Sequence, residues 1–359
     1  MRLVGLAILT ALMACCQSDE LVTGTKVEVV SYVSSFDENF AVTRAWTPPT
    51  GYTPYAAGNK TIGICFTQDG TDPESDGIGF FFKGGSTWRT DLEITAGDYY
   101  LYGYAPHVAG ITCQITDGDE VPDGEYSKGA ILTLHDVPTL MMEDLCTVVG
   151  AKHGSGKETV VGLRRGDFKY SASASETENY VFLLFDHLYS ALEIHLRVHG
   201  DYHALRTIHL TDMHMQTCND ETPTKKKTDV KVTLAATEGE SPIQDITYTP
   251  TGTEEVDAEV FHSTSGVELG TDYLSYLSYF MPHGITKVIL TCTYDVYDKK
   301  GNLVRRDCKA SNTLDFNQLF DRFDMVRAGT HYNIYLTIRP TYLYMLSDPD
   351  LENPEMVVS

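Results

Sequence analysis

The sequence predicts an all-β chain made of two β-sandwich domains in tandem. Short runs rich in Val, Ile, Thr, Tyr and Phe recur between Gly, Asp, Asn and Pro punctuation, and helical periodicity is scarce. Between residues 151 and 178 the pattern breaks into Gly, Ser, Lys, Arg and Glu before a fresh β-rich block opens at Asn179. That break sets a boundary near 168–175, with one sandwich expected over 45–168 and a second over 175–340.

The N-terminus, MRLVGLAILTALMACC, sets one cation, Arg2, before an uncharged apolar stretch over residues 3–14. A membrane-spanning helix takes roughly 20 apolar residues, so residues 1–14 read as a secretory signal and not as a permanent span. Leu12-Met13-Ala14-Cys15 resembles the bacterial lipobox, where a cysteine thiol is acylated before cleavage on its N-terminal side. Cleavage is therefore expected between Ala14 and Cys15, with the lipid on Cys15 rather than on Cys16, and that lipid is the only expected contact with the membrane. Gln17-Ser18-Asp19-Glu20 is similar to the acidic signal that sends some Bacteroidetes lipoproteins to the outer leaflet, which favours the outer membrane and the cell surface; a solvated tether explains the same residues.

Strands are expected over 26–33, 61–67, 78–83, 98–104, 130–134, 145–150, 180–185, 192–199, 207–211, 286–297 and 332–339. In the last, Tyr332, Ile334, Leu336 and Ile338 share one face, and Asn333, Tyr335, Thr337 and Arg339 the other. Residues 314–325, LDFNQLFDRFDM, carry helical spacing in Leu314, Leu319, Phe320 and Phe323, and residues 245–268 read as a long exposed loop or hairpin.

Beyond the lipobox pair the cysteines are Cys65, Cys113, Cys146, Cys218, Cys292 and Cys308, in an exported setting where disulfides form. One pairing follows from spacing. Asp298-Lys299-Lys300-Gly301-Asn302 reads as a type I turn closed by a glycine bulge, which sets Asp298 opposite Asn302. Counting outward places Cys292 opposite Cys308 at roughly 4.5–5.5 Å, within disulfide reach, although a one-residue slip would turn the thiols to opposite faces. None of the spacings is CxxC, so neither a zinc site nor a redox centre is indicated.

With 27 basic and 50 acidic residues the formal charge is −23, which repels nucleic acid and anionic lipid surfaces across much of the chain, so no nucleic-acid partner is expected. The one basic cluster, Lys225-Lys226-Lys227, reads as a solvated turn. His195, His199, His203, His209 and His214 crowd one stretch, but His195 and His199 fall with Glu193 and Arg197 on the polar face of a strand, and no HExxH spacing is present. The acidic stretches 69–76 and 117–123 do not fit a twelve-residue calcium loop. Without GxSxG, a catalytic cysteine signature, SxxK with KTG or a phosphate cradle, no enzyme, cofactor or metal is expected.

Several segments, in this order and spacing, resemble one family over nearly the whole chain. They are the lipobox at Cys15, Val42-Thr43-Arg44-Ala45-Trp46, Ile62-Gly63-Ile64-Cys65-Phe66 and Tyr99-Tyr100-Leu101-Tyr102-Gly103-Tyr104-Ala105-Pro106-His107. Phe185-Asp186-His187-Leu188 with Ala191-Leu192-Glu193-Ile194, and Ala328-Gly329-Thr330-His331-Tyr332, continue the series. The family is the Bacteroidetes fimbrillins, the subunits of type V pili. The resemblance implies two transthyretin-like β-sandwiches, delivery as a lipoprotein, and assembly with other pilin subunits by strand exchange once an Arg-specific protease removes residues 15–44. Arg44–Ala45 matches that site. The physical logic is that 26–33 makes a plausible edge strand, and cutting after it lets it leave a row of unpaired N–H and C=O groups for another chain's extended segment.

The family places that donor segment at the C-terminus, here residues 341–359. Pro340 is expected to end the last strand, and Pro349 and Pro354 to prevent one unbroken ladder, so Tyr342-Leu343-Tyr344-Met345-Leu346 is the expected insert. This departure leaves open whether the chain is a shaft, stalk, anchor or tip subunit. The fimbrium would support adhesion to a host or bacterial surface receptor. The rival reading is a monomeric surface lipoprotein that binds a glycan or host ligand through exposed tyrosines.

Overall fold

A computed structural model describes residues 27–35, 52–54, 62–68, 78–84, 87–90, 97–108, 110–117, 129–154, 163–172, 179–235, 241–320, 326–342 and 349–358. The expected lipidation and processing positions Ala14, Cys15, Arg44 and Ala45 lie outside these residues, as do Leu343, Tyr344, Met345 and Leu346, the acidic stretch 69–76 and most of 117–123. The described chain is all-β, with helix confined to Gly200–Leu205 and Phe316–Leu319. Each of the eleven strands expected from sequence is present.

Four sheets pair into two sandwiches. In the first, a nine-stranded sheet runs in the order Tyr52–Pro54, Val27–Ser34, Asn179–His187, Cys146–Gly154, Gly97–Ala105, Ile62–Gln68, Ile78–Gly84 and Thr87–Thr90, with Lys169–Ala172 joined to Gly97–Ala105. It curls, so that Thr87–Thr90 comes back near Val27–Ser34. Facing it is a sheet of Ile243–Glu255, Lys225–Leu234, Ala130–Pro138 and Thr112–Asp117, and Leu101, Leu132, Val148, Val181, Phe185 and Val230 fill the space between. In the second, Pro349–Val358, His331–Tyr342, Ser190–Val198, Leu274–Phe280 and Leu140–Met141 face Thr222–Pro223, Thr207–Asn219, Lys287–Tyr297 and Leu303–Asp315, with Ala258–Leu269 joined to Thr207–Asn219. Leu196, Leu210, Leu290, Tyr294 and Leu336 lie in its core.

The two cores interleave along the sequence. The boundary expected near 168–175 falls just before Asn179–His187, which is a central strand of the first sandwich. Its run YVFLLF reads as continuous apolar sequence because it is buried on both sides: Val181, Leu183 and Phe185 enter the main core, while Tyr180, Phe182 and Leu184 meet Val149 and Leu163 on the other face. Residues 245–268 are not a loop or hairpin. Ile243–Glu255 pairs within the first sandwich and Ala258–Leu269 within the second, so the chain crosses between them at the buried Val256.

Three further expectations are corrected. The 314–325 segment stays extended through Asp315, with Leu314 buried in the sheet; among its described residues the helix is Phe316–Leu319, capped by the Asp315 carboxylate accepting from the Asn317 N–H at 3.0 Å, while residues 321–325, Phe323 among them, lie outside the described residues. The Asp298–Asn302 turn forms as expected, with Gly301 at φ 82°, but register shifts follow at Tyr297/Val296 and Val296/Tyr294. Cys292 therefore faces Ala310, and Cys308 faces Tyr294. The two thiols share the buried face as diagonal neighbours, beyond bridging distance, and Cys292 carries a free thiol, so the Cys292–Cys308 disulfide is not formed. Finally, Pro340 does not end the last strand. His331–Tyr342 continues past it and pairs with Pro349–Val358, the register shifting between Arg339↔Glu355 and Thr341↔Asp350. Both Pro340 and Pro354 fall within that shift, where no ladder N–H is required of them.

Candidate functional site

Val27–Ser34 lies one place in from the end of the nine-stranded sheet. It runs parallel to Asn179–His187 from Val27↔Asn179 to Val33↔Phe185, and among the described residues its other edge pairs with the three-residue strand Tyr52–Pro54, at Tyr32↔Pro54, Val33↔Thr53 and Ser34↔Tyr52. It is thus nearly, rather than strictly, the edge strand expected. Its side chains split between the two faces: Val33 packs on the main core and Tyr32 on Phe182 and its neighbours, where Tyr52 also lies. Arg44 falls in the connection between these two strands.

Asp186 and His187, the last residues of the central strand, fasten the two flanking strands separately. Asp186 accepts from the Tyr52 hydroxyl at 2.5 Å and from Arg165, whose guanidinium also donates to Ser241 at 3.3 Å. Burial pushes the Tyr52 hydroxyl far above its ordinary value, and the Asp186 charge pushes it further, so the group stays a donor. His187, 6% exposed, meets the Ser34 carbonyl through Nε2 and Asp144 through Nδ1, both at 2.6 Å. Burial alone would lower the pKa of His187, but Asp144, the Ser34 carbonyl and Asp186 together raise it. One side chain thereby grips the end of the N-terminal strand, while the other grips the strand after it.

Cys146, directly opposite His187 in the antiparallel ladder, completes a three-residue group with Asp144. Its Sγ lies 3.0 Å from Asp144 Oδ2 and 3.6 Å from His187 Nδ1. A second group of possible metal ligands, Asp212, His214 and Glu259, sits on the outer face of the second sandwich, where His262 pairs with Asp212 at 2.6 Å and His214 with Asp257 at 3.2 Å. The histidines singled out in the sequence do not converge. His195 stacks on Tyr335 and hydrogen-bonds Ser275 and Asn333, whereas His199 lies beyond the strand and caps Gly200–Leu205. Lys226 and Lys227, expected in a turn, start the strand Lys225–Leu234 and pair with Glu254 and Asp136.

At the other end of the chain, Pro349–Val358 is an edge strand of the second sandwich. Of the expected donor segment Tyr342–Leu346, Tyr342 ends the strand His331–Tyr342 and the other four residues lie outside the described residues. Pro349–Val358 was missed because its two prolines argued against a ladder. It is held through Met356, which is buried in the second core and whose carbonyl accepts from Asn312 on the facing sheet.

No protein-family model matches the chain, and no curated protein matches it. Solved structures from Bacteroides align over most of its length. A protein of Bacteroides fragilis NCTC 9343 named for cell adhesion covers 93% of this chain and 96% of its own, with a TM-score of 0.45 at 10% identity. One from Bacteroides uniformis ATCC 8492, also named for cell adhesion, covers 92% and 98%, at 0.39 and 13%. A fimbrial protein of Bacteroides vulgatus ATCC 8482 covers 83% and 91%, at 0.38 and 14%. These figures describe a likeness in outline and assign no residue a role.

Proposed function

We propose that this chain is a structural pilin, delivered to the outer membrane surface with a lipid on Cys15 and assembled into an adhesive fimbrium by strand exchange. The observation that carries the reading is the seat of Val27–Ser34, between a buried central strand and a three-residue neighbour, with Arg44 in the connection that follows. Cleavage by an Arg-specific protease at Arg44–Ala45 separates the strand held by His187 from the one held by Tyr52. Its departure uncovers the unpaired edge of Asn179–His187 and the apolar side chains that Tyr32 and Val33 covered.

The C-terminal segment from Tyr342 through Val358 is the donor. As an edge strand, Pro349–Val358 has one ladder partner among the described strands, so it can leave its own sheet without splitting it. Other pilin subunits are the partners in the fibre, and a receptor on a host or bacterial surface is the partner of the fibre.

The test is to cut the purified full chain with an Arg-specific protease, read Ala45 as the new N-terminus, and look for SDS-resistant ladders. Ladders that disappear when residues 342–359 are removed are the expected result. Cleavage without ladders, unaffected by that truncation, supports the rival, a monomeric lipoprotein binding a glycan or host ligand. What favours the rival is the outer face of the second sandwich, where Tyr335, 42% exposed, stands among His195 and Tyr273.

A further inference from the structure

We propose that Asp144, Cys146 and His187 bind a zinc-like divalent transition-metal ion at the point where the N-terminal strand ends. The donor set comes first. A thiolate, an imidazole nitrogen and a carboxylate oxygen suit zinc or cobalt, whereas calcium and magnesium take oxygen ligands. The three ligands are set by rigid backbone: Cys146 and His187 face one another across an antiparallel ladder, and Asp144 precedes Cys146 by two residues.

The spacing is close to what a tetrahedral ion needs. Zinc bonds to nitrogen, oxygen and sulfur imply ligand atoms roughly 3.3–3.6 Å apart. Here Sγ and Nδ1 are 3.6 Å apart, and Sγ and Oδ2 3.0 Å. Nδ1 and Oδ2, at 2.6 Å, are hydrogen-bonded and must separate by less than about 1 Å, a small swing of the carboxylate.

Two independent observations point to a ligand. Asp144 Oδ1, the other oxygen of the same carboxylate, is buried with no hydrogen-bond partner among the described residues, a costly state that a cation on this carboxylate relieves when the group swings to share the ion between its two oxygens. The nearby Tyr189 hydroxyl does not serve it, since it donates to the Pro138 carbonyl. In addition, His187 meets the Ser34 carbonyl through Nε2 at 2.6 Å. That is the outer-shell arrangement of metal-binding histidines, in which the far N–H donates to a carbonyl and leaves the other nitrogen as the ligand.

Charge also balances. Binding replaces the thiol proton and the proton between His187 and Asp144, releasing two, and the thiolate and carboxylate neutralise a divalent ion. Three protein ligands leave a fourth position for water. Because Nε2–H remains on Ser34, the ion steadies the end of Val27–Ser34 in the intact chain, whether or not that strand is later exchanged.

Cobalt(II) titrated into the full chain tests this. The expected result is a near-ultraviolet thiolate-to-cobalt absorption that saturates at one ion per chain, is lost in Cys146→Ser and persists in Cys292→Ala. Zinc should raise the melting temperature of the parent chain and not that of Asp144→Asn, whose fold is checked by circular dichroism. A band that survives Cys146→Ser, no band at all, or equal zinc stabilisation of parent and Asp144→Asn would overturn the site.

Discussion

At the scale of single residues, Asp186 and His187 each hold one strand of the N-terminal segment. Tyr52 and Arg165 both reach Asp186, so Tyr52→Phe removes one donor but leaves the carboxylate its guanidinium. We expect it to cost about 1–2 kcal/mol in a denaturant titration. Gly150 is constrained differently. It lies at the bulge where Cys146–Gly154 shifts register, and a Cβ there would sit 2.3 Å from the Arg164 carbonyl oxygen, so Gly150→Ala is expected to destabilise by about 1–3 kcal/mol or more. Cys292 gives a third check. Burial pushes its thiol up to about 12, and its side chain is fully enclosed, so alkylation should fail in the native protein and succeed once it is unfolded. Protection lost only under reducing conditions would show instead that Cys292 is bridged.

Among the elements, strands whose side chains alternate were legible because a half-buried strand writes its period into the sequence, as His331–Tyr342 does. The double-sided burial of Asn179–His187 was legible as an apolar run. Bulges were not: nothing in LVRRDCKAS marks Asp307 as the residue at φ 54° whose N–H turns to Asp295, yet such shifts decide which residues face Cys292. The Asp144, Cys146 and His187 group was hidden for a related reason, since Cys146 and His187, 41 residues apart, meet through strand pairing and not through fixed spacing. The C-terminal strand was missed because prolines were judged without their partners. Its anchor suggests a test: Met356→Ala should cost about 2 kcal/mol or more and raise amide exchange over Pro349–Val358 ahead of the rest of the second sandwich.

For the whole molecule, charge and topology act against each other. A net charge of −23 repels identical subunits, while the strand position that the proposed cleavage would vacate invites pairing. The Debye length falls from about 10 Å at 0.1 M salt to about 3 Å at 1 M, so ladder formation by the Arg-cleaved chain should speed up with added salt. Ladders indifferent to salt would mean that subunit approach is not limited by charge. In the proposed assembly a lipid on Cys15 would serve as a delivery device, since cutting at Arg44 would remove it together with Val27–Ser34.

The central claim is that Val27–Ser34 is exchangeable and that another chain takes its place. Hydrogen exchange of the Asn179–His187 amides bonded to it reads this directly, in the intact chain, after cleavage at Arg44, and in the assembled ladder. The expected sequence is protection, loss of protection, and recovery. Amides that stay equally protected in all three states would contradict it, because the strand would then be a fixed part of the fold.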